Sequence, residues 1–199
     1  MDNTNLYPLI ERIGNLLRTE IRRIGNNHGL QPVHLQALTY LARCNRYSDT
    51  SATVTEYLGA TKGTVSQTLK VLEKKAYIYK VSDEDDKRVQ HLKVSKSGLE
   101  ILSACIPPAA FSEAASRISE AESTELVNLL TRMLRELQQS NRSKTFGVCK
   151  SCQFFNSDGT RYHCGLTREA LSTADSEKIC REHTPAPVGQ QDVLHRTGI

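Results

Sequence analysis

The sequence predicts a mainly α-helical fold with one small β-hairpin and a separate C-terminal cysteine module, and three patterns carry that expectation. Apolar residues recur at spacings of three and four along most of the first 140 positions, as amphipathic helices require. Between Tyr77 and Ser95 the period falls to two, the mark of strands. Beyond residue 145, four cysteines stand in a C-x2-C-x11-C-x15-C pattern. A chain of 199 residues, 38% hydrophobic and 24% charged, can bury one proper core and a small appendage. Collagen-like, disordered and membrane-spanning classes are thereby excluded, since no run approaches the roughly eighteen uncharged apolar residues of a span. The polar start, Met1-Asp2-Asn3-Thr4-Asn5, lacks the layout of a signal peptide. A cytoplasmic protein with reduced cysteines is expected, so clustered cysteines point to metal or redox chemistry before disulfides.

Leu6, Leu9, Ile10, Ile13, Leu16, Leu17, Ile21 and Ile24 describe one stripe of a long first helix, ending near Asn26-Asn27-His28-Gly29. Pro32 suits the first turn of a second helix carrying Val33, Leu35, Leu38, Leu41 and Ala42. Thr53 to Gly59 reads as a short third helix with Val54, Tyr57 and Leu58 inward. Thr61 is a good N-cap for a fourth, with Val65, Leu69 and Leu72 at helical spacing, running to about Lys75. Ile78 to Ser82 and Val89 to Ser95 are β-prone runs around a charged turn, Asp83 to Arg88, and form a hairpin. Ser97 to Ile106 is helical until Pro107-Pro108 breaks it. Ser119 and Glu122 make a capping box for a final long helix with Leu126, Leu129, Leu130, Met133, Leu134 and Leu137 on one face. Gln138 to Thr145 is polar and reads as a linker. The expected units are therefore residues 1–140, a cysteine module at 146–185, and a flexible tail at 186–199.

The formal charge of +4 becomes informative once located. Residues 146–199 hold six Lys/Arg and six Asp/Glu, whereas residues 61–96 hold nine Lys/Arg against five Asp/Glu and account for the whole excess. Three short helices followed by a basic hairpin make a winged helix-turn-helix, whose last helix enters the major groove of DNA. The opening of that helix, Thr61-Lys62-Gly63-Thr64-Val65-Ser66-Gln67, offers a cation, hydroxyls and an amide to base edges and phosphates. Lys70, Lys74 and Lys75 extend the positive face. Any one of these cations is more often surface decoration than a DNA contact, and it is their joint placement that points to DNA.

Residues 6–137 resemble the MarR family of bacterial transcription regulators, most closely in the stretch TKGTVSQTLKVLEKKAYIYKVSDEDDKRVQHLKVSKSG from Thr61 to Gly98. The resemblance implies a MarR-like dimer joined through its terminal helices and a double-stranded, pseudo-palindromic DNA operator. It also implies an Arg88 that enters the minor groove while Asp86 holds it, beside Lys87. Two positions depart from the family: Ala76 stands where Gly is usual and Asp85 where Arg is usual, so a weaker grip on DNA is expected. MarR relatives also bind aromatic acids between the DNA-binding and dimer regions, which makes a small-molecule effector possible. The DNA-contacting set expected is Thr61, Lys62, Thr64, Ser66, Gln67, Lys70, Lys87 and Arg88. The long stripes of the first and last helices exceed what a three-helix core can absorb, which independently suggests a second copy.

The tail has no place in that family. A C-x2-C pair lets two thiolates reach one metal from a tight turn, and two further cysteines complete a tetrahedral set, so Cys149, Cys152, Cys164 and Cys180 are the expected ligands. Zinc ribbons normally carry two such knuckles and only the first exists here. The layout, including Gln153-Phe154 and Cys164-x-Leu166, resembles the ligand pattern of high-potential iron-sulfur proteins. An iron-sulfur cluster is the favoured cofactor, with Zn²⁺ and a thiol-disulfide switch as alternatives. His163 and His183 are read as supporting or exposed groups, Lys150, Arg161 and Arg181 as offsetting charges, and Cys44 and Cys105 as core residues. The sequence thus reads as a regulator, expected to be a repressor, whose tail reports redox state, oxygen or iron. A regulator with structural zinc and a small-molecule effector is the alternative, and a redox, electron-transfer or protein-docking module is the rival of another class. No nucleophile elbow, P-loop or Rossmann glycine pattern occurs, and no enzyme is expected.

Overall fold

The computed structural model describes residues 5–186. Eight helices are described in them: α1 (Leu6–Asn26), α2 (Pro32–Arg43), α3 (Ser51–Leu58), α4 (Lys62–Lys74), α5 (Lys96–Cys105), α6 (Ala109–Ala115), α7 (Glu120–Ser140) and α8 (Thr173–Ser176). Strands β1 (Ile78–Ser82) and β2 (Gln90–Val94) pair antiparallel, Ile78 opposite Val94 and Ser82 opposite Gln90. A second antiparallel sheet, in the order β3 (Phe155–Ser157), β4 (Tyr162–Cys164), β5 (Ala170–Leu171), lies in the tail. Among the described residues no helix is long and apolar enough to cross a membrane.

Most helix starts are local chemistry. Thr50, Thr61, Ser95, Ser119 and Ser172 each accept the backbone N–H three residues on, and Ser119 and Ser172 complete capping boxes with Glu122 and Asp175. Thr50 moves the start of α3 two residues ahead of the expected Thr53. Gly59 ends α3 in the left-handed region at φ 59°, which a residue without Cβ adopts freely. Ala76, just past α4, sits at φ 56° without that freedom.

α2 is the hub, packing against α1, α3, α4, α5 and β2. Its Leu35, Leu38, Tyr40 and Leu41 bury with Val54 of α3, Val65, Leu69 and Leu72 of α4, and Ile78 and Leu92 of the hairpin. Leu38, Val54, Val65 and Leu72 are fully sealed from solvent, and fully burying each such side chain is worth roughly 1.5–3 kcal/mol. Two expectations change. After Pro108 the chain forms α6, which short, small-residue segments such as Ala109-Ala110 do not announce by periodicity. The supposed linker is partly absorbed: α7 runs to Ser140, and the Gln138 side chain donates to the carbonyl of Thr145 at 2.9 Å. Residues 146–186 pack onto the helical core, with Ile179 inside it and Phe146 against it. Of the expected flexible tail at 186–199, all but Ala186 lies outside the described residues.

No residue of α7 is buried, and in α1 Gly25 is the buried position. Leu9 (59% exposed), Ile13 and Leu16 of α1 and Leu126, Leu130, Leu134 (54%) and Leu137 of α7 present apolar surface to solvent.

Candidate nucleic-acid interface and cysteine cluster

The fourth helix divides by face. Val65, Thr68, Leu69 and Leu72 anchor it in the core, which leaves Lys62, Ser66, Gln67, Lys70 and Lys74 outward on neighbouring turns. Thr61 and Thr64 are occupied in part by the cap: the Thr64 N–H reaches Thr61 Oγ1 at 3.2 Å and the two hydroxyls lie 3.0 Å apart. Lys62 and the first-turn N–H groups thus share the electropositive end of the helix.

The hairpin tip is built on two aspartates. Asp83 Oδ1 accepts the N–H groups of Asp85 (2.9 Å) and Asp86 (2.8 Å), and Asp86 Oδ1 accepts the Arg88 N–H at 3.0 Å. Asp86 also takes the Arg88 guanidinium through Nε (2.9 Å) and Nη2 (2.8 Å), so a side chain that is 91% exposed has a set direction. Lys87 Nζ donates to the Asp83 carbonyl at 3.0 Å, and Asp85 is exposed at the tip.

Sequence reasoning missed the clasp beneath the tip. Asp49, buried between α2 and α3, lies 2.5 Å from His91 Nδ1 and 2.6 Å from Lys93 Nζ, while His91 Nε2 lies 2.9 Å from Asp83. The hydrogen bond to Asp49, then that to Asp83, holds the His91 pKa above its ordinary value. The His91 bond leads the causes that bring Asp83 down to about 2. A lone aspartate forty-two residues from its histidine leaves no periodic trace.

The tail gathers its four cysteines from three segments. Cys149 opens a one-turn 3-10 helix, Cys149–Ser151, and Cys152 follows it, Cys164 ends β4, and Cys180 follows α8. The Cys149 N–H bonds to the Lys178 carbonyl at 3.1 Å, and the Cys180 N–H to the Gly147 carbonyl at 3.0 Å. Phe155 N–H bonds to the Cys152 carbonyl at 3.0 Å, and Phe155 stands opposite Cys164 in the β3–β4 register. Burial, then the neighbouring Cys164, Cys180 and Cys152, pushes the Cys149 thiol up to about 12. Among the described residues no three His, Cys, Asp or Glu side chains are closed around a point where they could hold a metal ion.

The remaining tail residues take other places. His183 is buried, with Nδ1 2.6 Å from Thr145 Oγ1 and Nε2 2.9 Å from Ser151 Oγ, and His163 is exposed. Lys150, Arg161 and Arg181 pair with Glu177, Asp158 and Glu56. Cys44 and Cys105 are buried.

A cavity of about 910 Å³ opens between α1, α2, α3 and the end of α7, lined by Ile21, Leu35, Tyr57, Ile106, Leu134 and Phe146 among others.

Residues 28–89 match the model of the MarR family. No curated protein matches the chain. The solved structure of S. aureus MepR in a DNA-binding conformation is 25% identical, with a TM-score of 0.57 over 67% of this chain and 98% of MepR. The S. aureus MepR–DNA complex is 24% identical, with a TM-score of 0.52 over 65% of this chain and 96% of that one. Wild-type E. coli MarR in its apo form is 18% identical, with a TM-score of 0.51 over 64% and 96%. The chain has the winged-helix fold of the MarR regulators, and its own residues 28–89, from the end of α1 to the threshold of β2, carry that family's sequence pattern.

Proposed function

We propose that the protein is a sequence-specific, DNA-binding transcription regulator that acts as a homodimer and represses its targets. The observation that carries this is the pairing of an outward polar and basic face, Lys62, Ser66, Gln67 and Lys70, with a wing arginine aimed by Asp86. Support also comes from the MarR match and from similarity to a regulator solved on DNA. The major groove accepts the α4 face, Gln67 and Lys62 reach base edges, and Arg88 seeks the negative potential of a narrow minor groove. The exposed leucines of α1 and α7 bury against a second copy, which fixes two recognition helices at a set separation.

Two inputs complete the reading. The four tail cysteines hold an iron-sulfur cluster that reports redox state, oxygen or iron, with structural zinc as the alternative. The cavity between α2 and α7 favours a second reading, in which a small apolar effector lodges there and changes the spacing of the recognition helices. Selection of bound duplexes from a random-sequence pool by the full-length protein tests the main proposal. Enrichment of an inverted repeat with half-sites about one helical turn apart is expected. A pool without enriched sequence contradicts it.

A further inference from the structure

The segment that carries Cys180 is also the segment that grips the helix-turn-helix. Ile179, on one side of the cysteine, donates its N–H to the Arg43 carbonyl at 2.9 Å, accepts the Asn45 N–H at 2.9 Å, and buries its side chain in the main core. Arg181, on the other side, donates its backbone N–H to Ser48 Oγ at 2.9 Å. Its guanidinium reaches both carboxylate oxygens of Glu56 on α3, at 2.8 and 2.6 Å. The Asn45 side chain faces the Cys180 sulfur itself. Residues 44–50 form the turn between α2 and α3, and with Arg43 at the end of α2 they are thus stitched to 179–181. That turn also holds Asp49, the anchor of the wing, and α3 packs on α4.

The sulfurs have surroundings that suit thiolates. Cys152 Sγ accepts the Thr184 N–H at 3.4 Å. The backbone N–H groups of Leu166 and Thr167 and the Thr167 hydroxyl face the Cys164 sulfur, and the Glu182 N–H faces that of Cys180. Hydrogen bonds to sulfur from the backbone hold and tune metal thiolates. His183, fixed between Thr145 and Ser151, is not available as a substitute ligand.

We propose that Cys149, Cys152, Cys164 and Cys180 together ligate one thiophilic metal centre, an iron-sulfur cluster or a zinc ion, and that its loading raises DNA affinity through residues 179–181 and the α2–α3 turn. This rests on the DNA-binding reading above. Loading replaces four thiol protons by one shared centre and pulls the three cysteine segments together. Cys180 then fixes Ile179 and Arg181, which hold the α2–α3 turn and, through it, both α4 and the wing in one arrangement. A binding surface ordered beforehand loses less freedom on meeting DNA and binds more tightly.

The test uses the full-length protein purified without air, with metal and acid-labile sulfide measured before and after incubation with Zn²⁺ alone or with Fe³⁺, sulfide and a thiol reductant. Iron with sulfide identifies a cluster and zinc without sulfide a mononuclear site, and either supports the ligand set. A wild-type chain that retains neither, or Cys164→Ser and Cys180→Ser variants that keep the wild-type content, overturns it. Because cysteine variants can misfold, the wild-type measurement stands alone. Loaded wild-type protein should bind a selected duplex at least about fivefold more tightly than chelator-stripped protein. Arg181→Ala should keep its metal and bring that ratio close to one. Equal affinities of loaded and stripped wild type overturn the coupling. Absence of DNA binding in both forms, with metal present, sinks the DNA-binding reading and the coupling with it, and leaves the ligand set standing.

Discussion

At Ala76 one residue stores backbone strain. Its φ of 56° lies in the left-handed region, where a Cβ crowds the following carbonyl at roughly 1–2 kcal/mol. Ala76→Gly should therefore raise stability by roughly 1 kcal/mol, less the added freedom of the unfolded chain, readable as a higher denaturation midpoint with an unchanged slope. A lower midpoint would contradict this account of the position. Arg88 is the second residue whose role turns on local geometry. With its guanidinium held on both oxygens of Asp86, Arg88→Ala should weaken binding to a selected duplex by on the order of tenfold or more and leave dimerisation intact. Glu73→Ala, on α4 but paired with Lys80, is the control and should not weaken binding. The Thr61 and Ser119 caps and the outward set on α4 were legible because they depend on neighbours within one helical turn. The strain at Ala76 was visible only as a departure from a family's usual glycine.

Among the elements, the wing depends on charges from three places. His91 on β2 meets Asp49 from the α2–α3 turn and Asp83 from the wing tip, with Lys93 beside it on the same strand. Because its folded pKa is raised above 6.5, the stabilisation by protonated His91 is complete below that value and is lost as pH rises through the folded pKa. Asp83 acts in the opposite sense: with a folded value of about 2, its contribution is present above 3.8 and is lost only as pH falls toward 2. Thermal stability should therefore decline as pH rises above 6.5 and through the folded pKa of His91, and His91→Gln should flatten that decline. An unaltered pH profile in the variant would exclude the clasp as its source. Helices α1 to α5, α7 and the hairpin could be read from periods of 3.6 and 2, since apolar residues mark one face of each element, whether that face is buried in the core or, as in α1 and α7, left exposed. Helix α6 could not, because its seven residues, AAFSEAA, are too few and too small to mark an apolar stripe.

For the molecule as a whole, the decisive contacts join distant parts of the chain. Arg181 and Ser48 are 133 positions apart, and Ile179 completes a core built mostly from residues 30–105. Periodicity argues only within an element, so the cysteine spacing was readable while the docking of the tail on α2 and α3 was not. The unburied stripes of α1 and α7 were legible in advance, because apolar residues in excess of one core need another surface. Leu130→Asp together with Leu134→Asp places charge in that surface and should convert the dimer to folded monomers, checked by light scattering and circular dichroism. Wild-type protein that is monomeric at micromolar concentration would contradict the dimer. Whether the α4 face and the wing recognise DNA is decided by the salt dependence of binding to a selected duplex. Log affinity should fall linearly with log salt concentration, with a slope of about −0.9 for each phosphate neutralised by Lys62, Lys70, Arg88 and their partner-copy equivalents. Binding that does not change with salt, or no binding to any duplex at low salt, would contradict it.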